Sequence, residues 1–370
     1  MQEENQRYAR HYSLKGFGLQ GQQKLTAAKV LVVGAGGLGC PALQYLTAAG
    51  VGTITIVDHD MVSLSNLQRQ VLFTTEDIGK PKAEIAAIRL KAVNPEIAIT
   101  FRNESISTLN ALELIAEHDV TIDCTDNFAT RYLINDASVL LDKPLIFGAI
   151  SQYEGQVSVF NLANINGDKV NYRHLFPTPP NPLEVQDCNE AGVLGVLPGI
   201  IGTLQATEAI KVITGIGEVL AGKLLTFNLL SYATYIFELS ADDSVFKLIP
   251  KDNAVFKETD YEWLCGMKAK GVKELTPREF LPVLDKSDTI IIDVREDNEL
   301  PKALFQCVSL PLSGLTDNLP EIKESNIILF CQSGKRSLKA GELFLDRYKG
   351  QKNISHLTGG ILALQEYNYG

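Results

Sequence analysis

Short apolar runs rich in β-branched residues alternate with helix-like segments over residues 29–150. The runs that predict strands are Lys29–Val33, Thr53–Asp58, Ala98–Arg102, Val120–Cys124 and Leu145–Gly148. The segments that predict helices lie between them, near residues 41–49, 81–92, 108–117 and 129–141. Such alternation is typical of βαβ units. It predicts an α/β fold with a doubly wound, mainly parallel sheet, in which ligands bind beyond the carboxyl ends of the strands.

The pattern continues beyond residue 150 with one more predicted strand at residues 155–160. A stretch rich in Pro, Asn and Gly then runs from 161 to 197, and loops of that length are commonly functional. A helix and two strands are predicted after it, at residues 199–213, 223–229 and 233–239. The periodicity then weakens. We therefore predict a first domain over residues 1–245 and a linker over residues 246–272.

A second, smaller α/β domain is predicted over residues 273–370. It contains two apolar strand candidates, Thr289–Asp293 and Asn326–Phe330, and a helix that ends near Tyr348. The second of these strands runs directly into the segment Cys331-Gln332-Ser333-Gly334-Lys335-Arg336-Ser337. A cysteine at the end of a strand, followed by glycine and two cations, makes this segment a candidate for nucleophilic chemistry.

Composition narrows the class of protein. The 370 residues are enough for two hydrophobic cores, and 45% hydrophobic with 21% charged residues is an ordinary globular mixture. No run of 18 or more apolar residues and no apolar signal segment is present, so we expect neither a membrane span nor export. Six widely spaced cysteines fit a reducing cytoplasm. A net charge of −10 disfavours a nucleic-acid-binding surface.

The first predicted strand ends in a glycine-rich turn that leads into a helix. Its glycines are Gly34, Gly36, Gly37 and Gly39. Backbone N–H groups in such a turn and the positive end of the helix dipole bind phosphate. Asp58 ends the second strand about 20 residues further on, where an acid commonly bonds a ribose hydroxyl. Taken alone, these features also fit a dinucleotide dehydrogenase.

Polar residues near the following strand ends distinguish a dinucleotide site from a site for a triphosphate. The residues concerned are Arg69, Lys82 and Asp126. A triphosphate with Mg²⁺ requires cations that neutralise phosphate oxygens and a carboxylate that holds the metal. A nicotinamide pocket needs no such set, so these residues favour ATP and Mg²⁺.

These residues, taken in order, resemble the bacterial MoeB/ThiF branch of the ubiquitin-activating-enzyme-like (E1-like) family. The resemblance covers residues 7–245 and includes the motifs Arg7-Tyr8-Ala9-Arg10, Asp58-His59-Asp60, Asp123–Asn127 and Glu154-Gly155-Gln156. It implies a Rossmann-like domain that uses ATP to adenylate a carboxylate. By the same resemblance, Asp126 holds the Mg²⁺ of ATP and Asp58 holds the ribose. The residues that it assigns to the phosphates are Asn66, Arg69 and Lys82.

Three further positions are interpreted from the resemblance. Arg10 belongs to an Arg-Tyr-x-Arg motif that in this family reaches the nucleotide of the partner subunit, so a homodimer is expected. The alternative for Arg10 is a charge on a helix surface. Cys188 matches a loop cysteine that forms a thioester or an acyl disulfide in some members and has no needed role in others. Asp60 is expected to order its loop rather than to contact nucleotide.

Many members of the family hold a structural Zn²⁺ with two C-x-x-C pairs. The matching positions here read Asn171-Tyr172-Arg173-His174 and Glu262-Trp263-Leu264-Cys265, so only Cys265 is an unchanged ligand. His174 and Glu262 are able to bind a metal, but Asn171 is a poor fourth ligand. We therefore expect no structural zinc.

The second domain resembles a rhodanese domain over residues 273–370. The resemblance includes Asp293-Val294-Arg295-Glu296, the C-x-x-G-x-R-S loop that begins at Cys331, and Gly359-Gly360. It implies that Cys331 carries sulfur as a persulfide. Loop N–H groups, a helix N-terminus and two cations, Lys335 and Arg336, should favour the thiolate form of this cysteine.

Two alternatives remain for this domain. A cysteine phosphatase needs five residues between its Cys and its Arg to surround a phosphate, whereas four separate Cys331 from Arg336. An inert rhodanese fold is the other alternative, because the segment Leu300–Phe305 replaces the sequence usual after the Asp-Val-Arg motif. We expect that departure to affect packing in a loop away from the sulfur.

Together the two domains imply one reaction sequence. The first would adenylate the C-terminal glycine of a small ubiquitin-fold sulfur carrier protein that ends in Gly-Gly, and the second would supply sulfur for a thiocarboxylate. A MoaD-like carrier of molybdopterin biosynthesis is favoured over a ThiS-like carrier of thiamine biosynthesis. A tRNA-modifying dehydratase is disfavoured by the acidic net charge. A non-catalytic binding module is disfavoured by the presence of Arg69, Lys82, Asp126 and Cys331.

Overall fold

A computed structural model describes residues 6–179, 192–265, 271–284, 286–315 and 319–369. The described chain divides into two compact units, and the division falls after Tyr261. The first unit comprises residues 6–179 and 192–261, and the second comprises the described residues from 262 onward.

The first unit is built on a single large sheet. Its strands are β1 (Lys29–Val33), β2 (Thr53–Val57), β3 (Ala98–Arg102), β4 (Val120–Asp123), β5 (Leu145–Ser151), β6 (Glu154–Phe160), β7 (Lys223–Asn228) and β8 (Thr234–Glu238). They lie in the order β3-β2-β1-β4-β5-β6-β7-β8. The strands from β3 to β5 are parallel, and β6, β7 and β8 extend that edge in antiparallel fashion. The predicted α/β class with a mainly parallel sheet is confirmed.

Helices connect the parallel strands and pack on the sheet. Those described in this unit are α1 (Ala9–Tyr12), α2 (Gly18–Ala27), α3 (Gly39–Ala49), α4 (Lys82–Val93), α5 (Ala111–Ala116), α6 (Phe128–Leu140), α7 (Tyr172–Leu175), α8 (Val196–Thr214) and α9 (Asn253–Glu258). From β1 the chain first adds β2 and β3 on one side and then returns to add β4 and β5 on the other. Ligands of such sheets bind where the strand order reverses, so the carboxyl ends of β1 and β4 mark the site.

The central strand β1 shows why the sequence predicts this sheet well. The side chains of Val30, Leu31, Val32 and Val33 are all buried. A parallel strand covered on both faces reads as a continuous apolar run rather than an alternating one. The predicted ends of β1 and β3 coincide with the observed ends.

Strand β5 was predicted to end at Gly148, and the observed strand is longer. The observed strand continues to Ser151 and turns directly into β6. A Cβ atom on Gly148 would lie 2.3 Å from Cδ of Gln205, a buried residue of α8. The glycine therefore marks the close approach of a helix and not the end of a strand.

Much of the predicted linker is ordered. A 3₁₀ helix covers Asp243–Leu248, α9 follows, and α10 covers Tyr261–Leu264. Phe256 and Tyr261 are buried, and the Tyr261 hydroxyl donates to Oδ2 of Asp136 at 2.8 Å. The segment up to Tyr261 thus belongs to the first unit, and its short elements are too brief to produce a periodic pattern.

Helix α8 is the one described helix that is long and apolar enough, by length and composition, to cross a membrane. It packs on α3, β5 and β6, and its buried side chains include Leu197, Ile201 and Ala209. The core helix of an α/β domain meets the same criteria of length and apolarity, so this helix is weak evidence for a membrane span.

The second unit is a smaller parallel α/β domain. Its strands are β9 (Lys273–Leu275), β10 (Thr289–Asp293), β11 (Val308–Ser309), β12 (Asn326–Phe330) and β13 (Asn353–Leu357). They form a sheet in the order β11-β10-β12-β13-β9, with every pair parallel. Its described helices are α11 (Pro277–Phe280), α12 (Leu312–Leu315), α13 (Lys335–Tyr348) and α14 (Gly360–Tyr369).

Elements β10, β12 and α13 were predicted from the sequence, whereas β13 and α14 were not. Strand β13 covers only Asn353–Leu357, and its consecutive polar residues Ser355 and His356 are both buried. Burial of polar side chains removes the alternation on which a strand prediction depends.

Candidate active sites

The turn between β1 and α3 is closed tightly against β4. Gly34 has φ of +97°, and a Cβ atom there would lie 2.8 Å from the carbonyl oxygen of Cys124. A Cβ atom on Gly39 would lie 2.0 Å from the carbonyl oxygen of Gly34. Only glycine fits either position, and the result is a compact turn at the carboxyl ends of β1 and β4.

The other two glycines of the turn face neighbouring segments. A Cβ atom on Gly37 would lie 3.0 Å from Cβ of Pro198, near the start of α8. Gly36 faces Gln70, and the distance from its Cβ position to Nε2 of Gln70 would be 3.7 Å. Gln70 is buried, and its Oε1 has no hydrogen-bond partner. Gln70 directly follows Arg69, but its burial beside the turn is not evident from the sequence.

Asp58 braces the glycine turn. Its Oδ2 accepts from the N–H of Ala35 at 2.7 Å, and its Oδ1 accepts from the N–H of Asp60 at 2.8 Å. Burial raises the pKa of Asp58, while the charge of Lys82 and these two N–H groups oppose the shift. Each oxygen retains a lone pair, so the carboxylate is able to accept a ribose hydroxyl as well.

Lys82 lies in the first turn of α4 and is only 5% exposed. Its Nζ donates to Oδ2 of Asp60 at 2.8 Å, and the Asp60 side chain is 53% exposed. The backbone N–H of Lys82 also donates to the carbonyl oxygen of Asp60 at 2.9 Å. Asp60 therefore orders the loop after Asp58, as the sequence indicates, and it holds a buried cation in position.

Asn66 and Arg69 belong to a short helical turn beside this loop. Asn66 closes the 3₁₀ helix Leu64–Asn66, and its carbonyl oxygen accepts from the N–H groups of Arg69 and Gln70. Nη1 of Arg69 donates to the carbonyl oxygen of Ser65 at 3.0 Å. The turn thus presents the half-buried Arg69 side chain next to Gly37.

Asp126 lies in the loop after β4, two residues before α6, and is exposed. The N-cap residue Asn127 accepts from the N–H of Thr130 at 2.9 Å. Arg131 fixes the same loop by donating to the carbonyl oxygen of Thr125 at 3.0 Å. An exposed carboxylate at this place suits Mg²⁺, which prefers oxygen ligands and keeps several waters. Arg131 was missed in the sequence, where a lone arginine on a helix carries no signal.

Arg10 is not brought to this site. It lies on α1, and the neighbouring Tyr8 contacts Gly50 and accepts from the side chain of Asn94 at 2.8 Å. Gly50 ends α3 and Asn94 ends α4, so both mark the amino-terminal edge of the sheet. Arg10 thus lies at the edge opposite the glycine turn. Cys188 lies outside the described residues.

The positions that would hold a structural zinc have other uses. Asn171 caps α7 and accepts from the N–H of Arg173 at 2.9 Å. The Arg173 guanidinium donates to both oxygens of Asp136, at 2.8 and 2.7 Å, and both side chains are buried. Nδ1 of His174 accepts from the N–H of Asn171 at 3.1 Å. Asn171 and His174 thus form a capping pair with the backbone of α7, and the Asn171 amide is a poor zinc ligand, so this pair does not fit a structural zinc site.

The cysteine loop of the second unit joins β12 to α13. Cys331 is 0% exposed, and its Sγ accepts from the N–H of Gly334 at 3.1 Å, where φ is +95°. The first turn of α14 fixes the loop from the other side, because the N–H of Ile361 donates to the carbonyl oxygen of Cys331 at 2.8 Å. A Cβ atom on Gly360 would lie 2.4 Å from the carbonyl oxygen of Gln332. The loop thus directs the N–H of Gly334 towards the sulfur.

The segment Leu300–Phe305 does not lie away from the sulfur, and that expectation was wrong. Nε2 of Gln332 donates to the carbonyl oxygen of Leu300 at 3.0 Å. Arg336 donates to both carboxylate oxygens of Glu299, at 2.5 and 2.6 Å. The departing segment and the preceding Glu299 therefore contact two residues of the cysteine loop, Gln332 and Arg336. These contacts join residues far apart in sequence, so the motif comparison could not reveal them.

A buried histidine lies beneath the cysteine loop. His356 on β13 places Nδ1 3.3 Å from Oγ of Ser337, and that hydroxyl donates to the carbonyl oxygen of Gly334 at 2.9 Å. Burial lowers the pKa of His356 to about 4, so the ring is neutral near pH 7. A lone polar residue in a short strand gives no signal in the sequence.

Comparison with known proteins gives matches over both units. Residues 8–245 match the ThiF family, and residues 276–367 match the rhodanese-like domain. The chain is 41% identical over 379 residues to the probable adenylyltransferase/sulfurtransferase MoeZ of Mycobacterium tuberculosis, and the match covers 98% of this chain and 93% of that protein. It is 48% identical over 268 residues to a sulfur carrier protein adenylyltransferase of Thermus thermophilus, covering 72% of this chain and 98% of that protein.

Solved structures share the fold of the first unit. The crystal structure of Escherichia coli MccB with ATP aligns with a TM-score of 0.55 and 22% sequence identity. The alignment covers 65% of this chain and 73% of that one. The similarity supports the doubly wound architecture found here.

Proposed function

The chain belongs to the ThiF family and carries a rhodanese-like domain at its carboxyl-terminal side, and from this we propose that it activates a sulfur carrier protein with ATP and then supplies it with sulfur. Adenylation is assigned to residues 1–245 and sulfur transfer to residues 273–370. The observation that carries the proposal is the grouping of the glycine turn, Asp58, Lys82 and Asp126 at the carboxyl edge of one parallel sheet.

The position of Lys82 supports a role in phosphate binding. A cation in the first turn of a helix is disfavoured by the helix dipole, so its presence there does not serve stability. Its ammonium makes a single side-chain hydrogen bond, to an exposed carboxylate, and so has further N–H donors for a phosphate. We assign Lys82 to the phosphates of ATP together with Arg69, Asn66 and the N–H groups of the turn that contains Gly34, Gly36, Gly37 and Gly39.

In the proposed reaction, the C-terminal glycine carboxylate of the carrier attacks the α-phosphorus of ATP. A P–O bond forms, the bond to the β-phosphate oxygen breaks, and pyrophosphate leaves with the electron pair. Lys82 and Arg69 stabilise the negative charge that develops on the phosphate oxygens. Mg²⁺, held by Asp126, would supply further neutralisation of the triphosphate.

Sulfur transfer follows from Cys331. The terminal sulfur of its persulfide attacks the carbonyl carbon of the acyl adenylate, and AMP leaves. A thiol must then attack the Cys331 sulfur of the resulting acyl disulfide, which releases the thiocarboxylate and leaves a disulfide for an external thiol to reduce. Cys188 is the candidate for this second thiol. A MoaD-like carrier remains favoured over a ThiS-like one by the motif resemblance.

We further propose a homodimer whose sites each receive Arg10 from the partner. The position of α1 at the amino-terminal edge of the sheet supports this, since Arg10 does not reach the turn of its own chain. In the partner's site it would add a cation beside the triphosphate.

ATP–pyrophosphate exchange tests the adenylation step. Exchange should appear with ATP, Mg²⁺ and a carrier that ends in Gly-Gly, first with a MoaD-like and then with a ThiS-like protein. Asp126→Ala should abolish it, whereas Asp168→Ala, which removes another exposed aspartate, should not. Undiminished exchange in Asp126→Ala would show that the metal assignment is wrong, and no exchange with either carrier would reject the proposed substrate class.

A further inference from the structure

An ion pair between Arg336 and Glu299 neutralises a cation of the cysteine loop. Both terminal nitrogens of Arg336 donate to Glu299, at 2.5 and 2.6 Å, and the two side chains are 30% and 27% exposed. Such a two-bond contact has a fixed geometry and is stronger than a single hydrogen bond. The last cation of the C-x-x-G-x-R loop is therefore already bonded to a carboxylate of the same chain.

Glu299 is held in place by its own loop. The N–H of Glu296 donates to Oε1 of Glu299 at 2.9 Å. Buried Arg295 donates to the carbonyl oxygen of Pro301 at 2.7 Å and pairs with Asp293. Together with the bond from Gln332 to Leu300, these contacts fix the loop on both sides of Glu299. Its position is set by the fold and does not depend on a flexible surface side chain.

The carboxylate is ionised under working conditions. Hydrogen bonding to Arg336 is the main cause that lowers the pKa of Glu299, and it outweighs the opposite effect of burial. At neutral pH the pair is thus fully charged and its net charge is zero. An anion that approaches Cys331 meets less positive charge than the sequence of the loop alone indicates.

We propose that Glu299 determines donor specificity in sulfur transfer: by holding Arg336 it disfavours dianionic donors such as thiosulfate and favours a cysteine persulfide. The inference rests on the proposed sulfur-transfer function and acts through Arg336, so Glu299 is a positioning residue. With thiosulfate, the Cys331 thiolate attacks the outer sulfur, the S–S bond breaks, and sulfite leaves with the electron pair. With a persulfide, the same attack expels a thiolate, which carries one negative charge instead of two.

The difference lies in what each donor needs from Arg336. Thiosulfate carries its charge on a sulfonate group, which a free guanidinium binds well. To obtain that contact it must displace Glu299 from a two-bond pair. A cysteine persulfide has no sulfonate, and it loses nothing when Arg336 stays bound to Glu299.

Steady-state kinetics on the full chain tests the proposal, with thiosulfate or cysteine persulfide as donor and cyanide as acceptor. Glu299→Gln removes the charge but keeps the size, so KM for thiosulfate should fall about tenfold, with a much smaller change in kcat. The ratio of kcat/KM for thiosulfate to that for persulfide should rise by about the same factor. Glu296→Gln, an exposed neighbour on the same loop, is the matched control and should not change the ratio.

Two further variants keep the test decisive. Glu299→Asp retains the charge but loosens the two-bond contact, so its KM for thiosulfate should lie below that of wild type and above that of Glu299→Gln. It tests the same pair if Glu299→Gln folds poorly. Arg336→Ala in the Glu299→Gln background should remove the gain. An unchanged ratio in both Glu299 variants, or an equal rise in Glu296→Gln, would overturn the proposal. Failure of the wild type with both donors would instead overturn the sulfur-transfer function and the inference with it.

Discussion

The first unit and the second unit use the same local design, in which a parallel strand ends in a glycine turn and leads into a helix, but the two turns enclose different groups. In the first unit Asp58 braces the turn by accepting from the N–H of Ala35 at 2.7 Å. In the second unit the N–H of Gly334 donates to Sγ of Cys331 at 3.1 Å. The first turn is thus shaped for a phosphate that arrives with a ligand, and the second for a sulfur that belongs to the chain.

The cations of the two sites also differ in how firmly a carboxylate of the same chain holds them. Lys82 makes one hydrogen bond to Asp60, whose side chain is 53% exposed, whereas Arg336 makes two to Glu299, whose side chain is 27% exposed. A single hydrogen bond to an exposed carboxylate is exchanged for a phosphate oxygen more readily than two hydrogen bonds in a fixed geometry. Two cations that both belong to sequence motifs can therefore differ in how readily they bind an incoming anion.

The largest effect is expected from Cys331→Ala, because it removes the atom around which the second turn is built. Sulfur transfer to cyanide should fall below detection, while ATP–pyrophosphate exchange should stay at the wild-type rate. Cys188→Ala should retain transfer to cyanide, and Cys307→Ala, which changes a partly buried cysteine elsewhere in the unit, is the control. Wild-type transfer by Cys331→Ala would leave the second unit without a catalytic role.

The next largest effect is expected on the stability of the first unit when its buried ion pair is broken. Asp136→Asn leaves the buried Arg173 without a counter-charge, and breaking a buried pair in this way costs about 3–5 kcal/mol. Calorimetry should show a lower Tm. Asp142→Asn breaks the exposed pair with Lys169 and should change Tm little. Chelators should leave the wild-type Tm unchanged, since only Cys265 of the four family zinc ligands is retained. A loss of stability on chelation would contradict this interpretation.

Glycine substitutions test whether the two turns are independent. Gly39→Ala places a Cβ atom 2.0 Å from a carbonyl oxygen, and Gly360→Ala places one 2.4 Å from another. Each should reduce its own reaction about 100-fold, the loss expected when a reacting group is misplaced by about 1 Å. Adenylation should fall only in the first variant and sulfur transfer only in the second. Gly314→Ala, where a Cβ atom meets nothing within 4 Å, is the control.

These contrasts also show what the sequence could predict. Strand β1 and its glycine turn were found because burial on both faces leaves a continuous apolar run, and because a tight turn requires glycine at fixed spacing. The pair between Asp136 and Tyr261 spans 125 residues, and that between Glu299 and Arg336 spans 37. Contacts of this kind depend on the three-dimensional fold, so no local pattern indicates them.

A smaller effect is expected from pH on the second unit. The pKa of His356 is lowered by burial to about 4 from an ordinary value of 6.5, so the folded state binds its proton less well than the unfolded state. Its contribution to stability is complete above pH 6.5 and is lost as pH falls towards 4, by about 2 kcal/mol at pH 5. The protection factors of the α13 amides in hydrogen exchange should fall accordingly. In His356→Phe this part of the pH dependence should disappear.

The smallest expected signal comes from subunit complementation. It should change adenylation by the first unit and leave sulfur transfer by the second unit unaffected. Arg10→Ala and Asp126→Ala should each be inactive in pyrophosphate exchange. When the two variants are mixed in equal amounts and exchange subunits at random, half of the dimers are mixed, and each of these holds one intact site, so about a quarter of wild-type activity should return. Sulfur transfer by Cys331 should be at the wild-type level throughout. Proven subunit exchange without recovery would place Arg10 outside the partner's site and return it to a charge on the surface of α1.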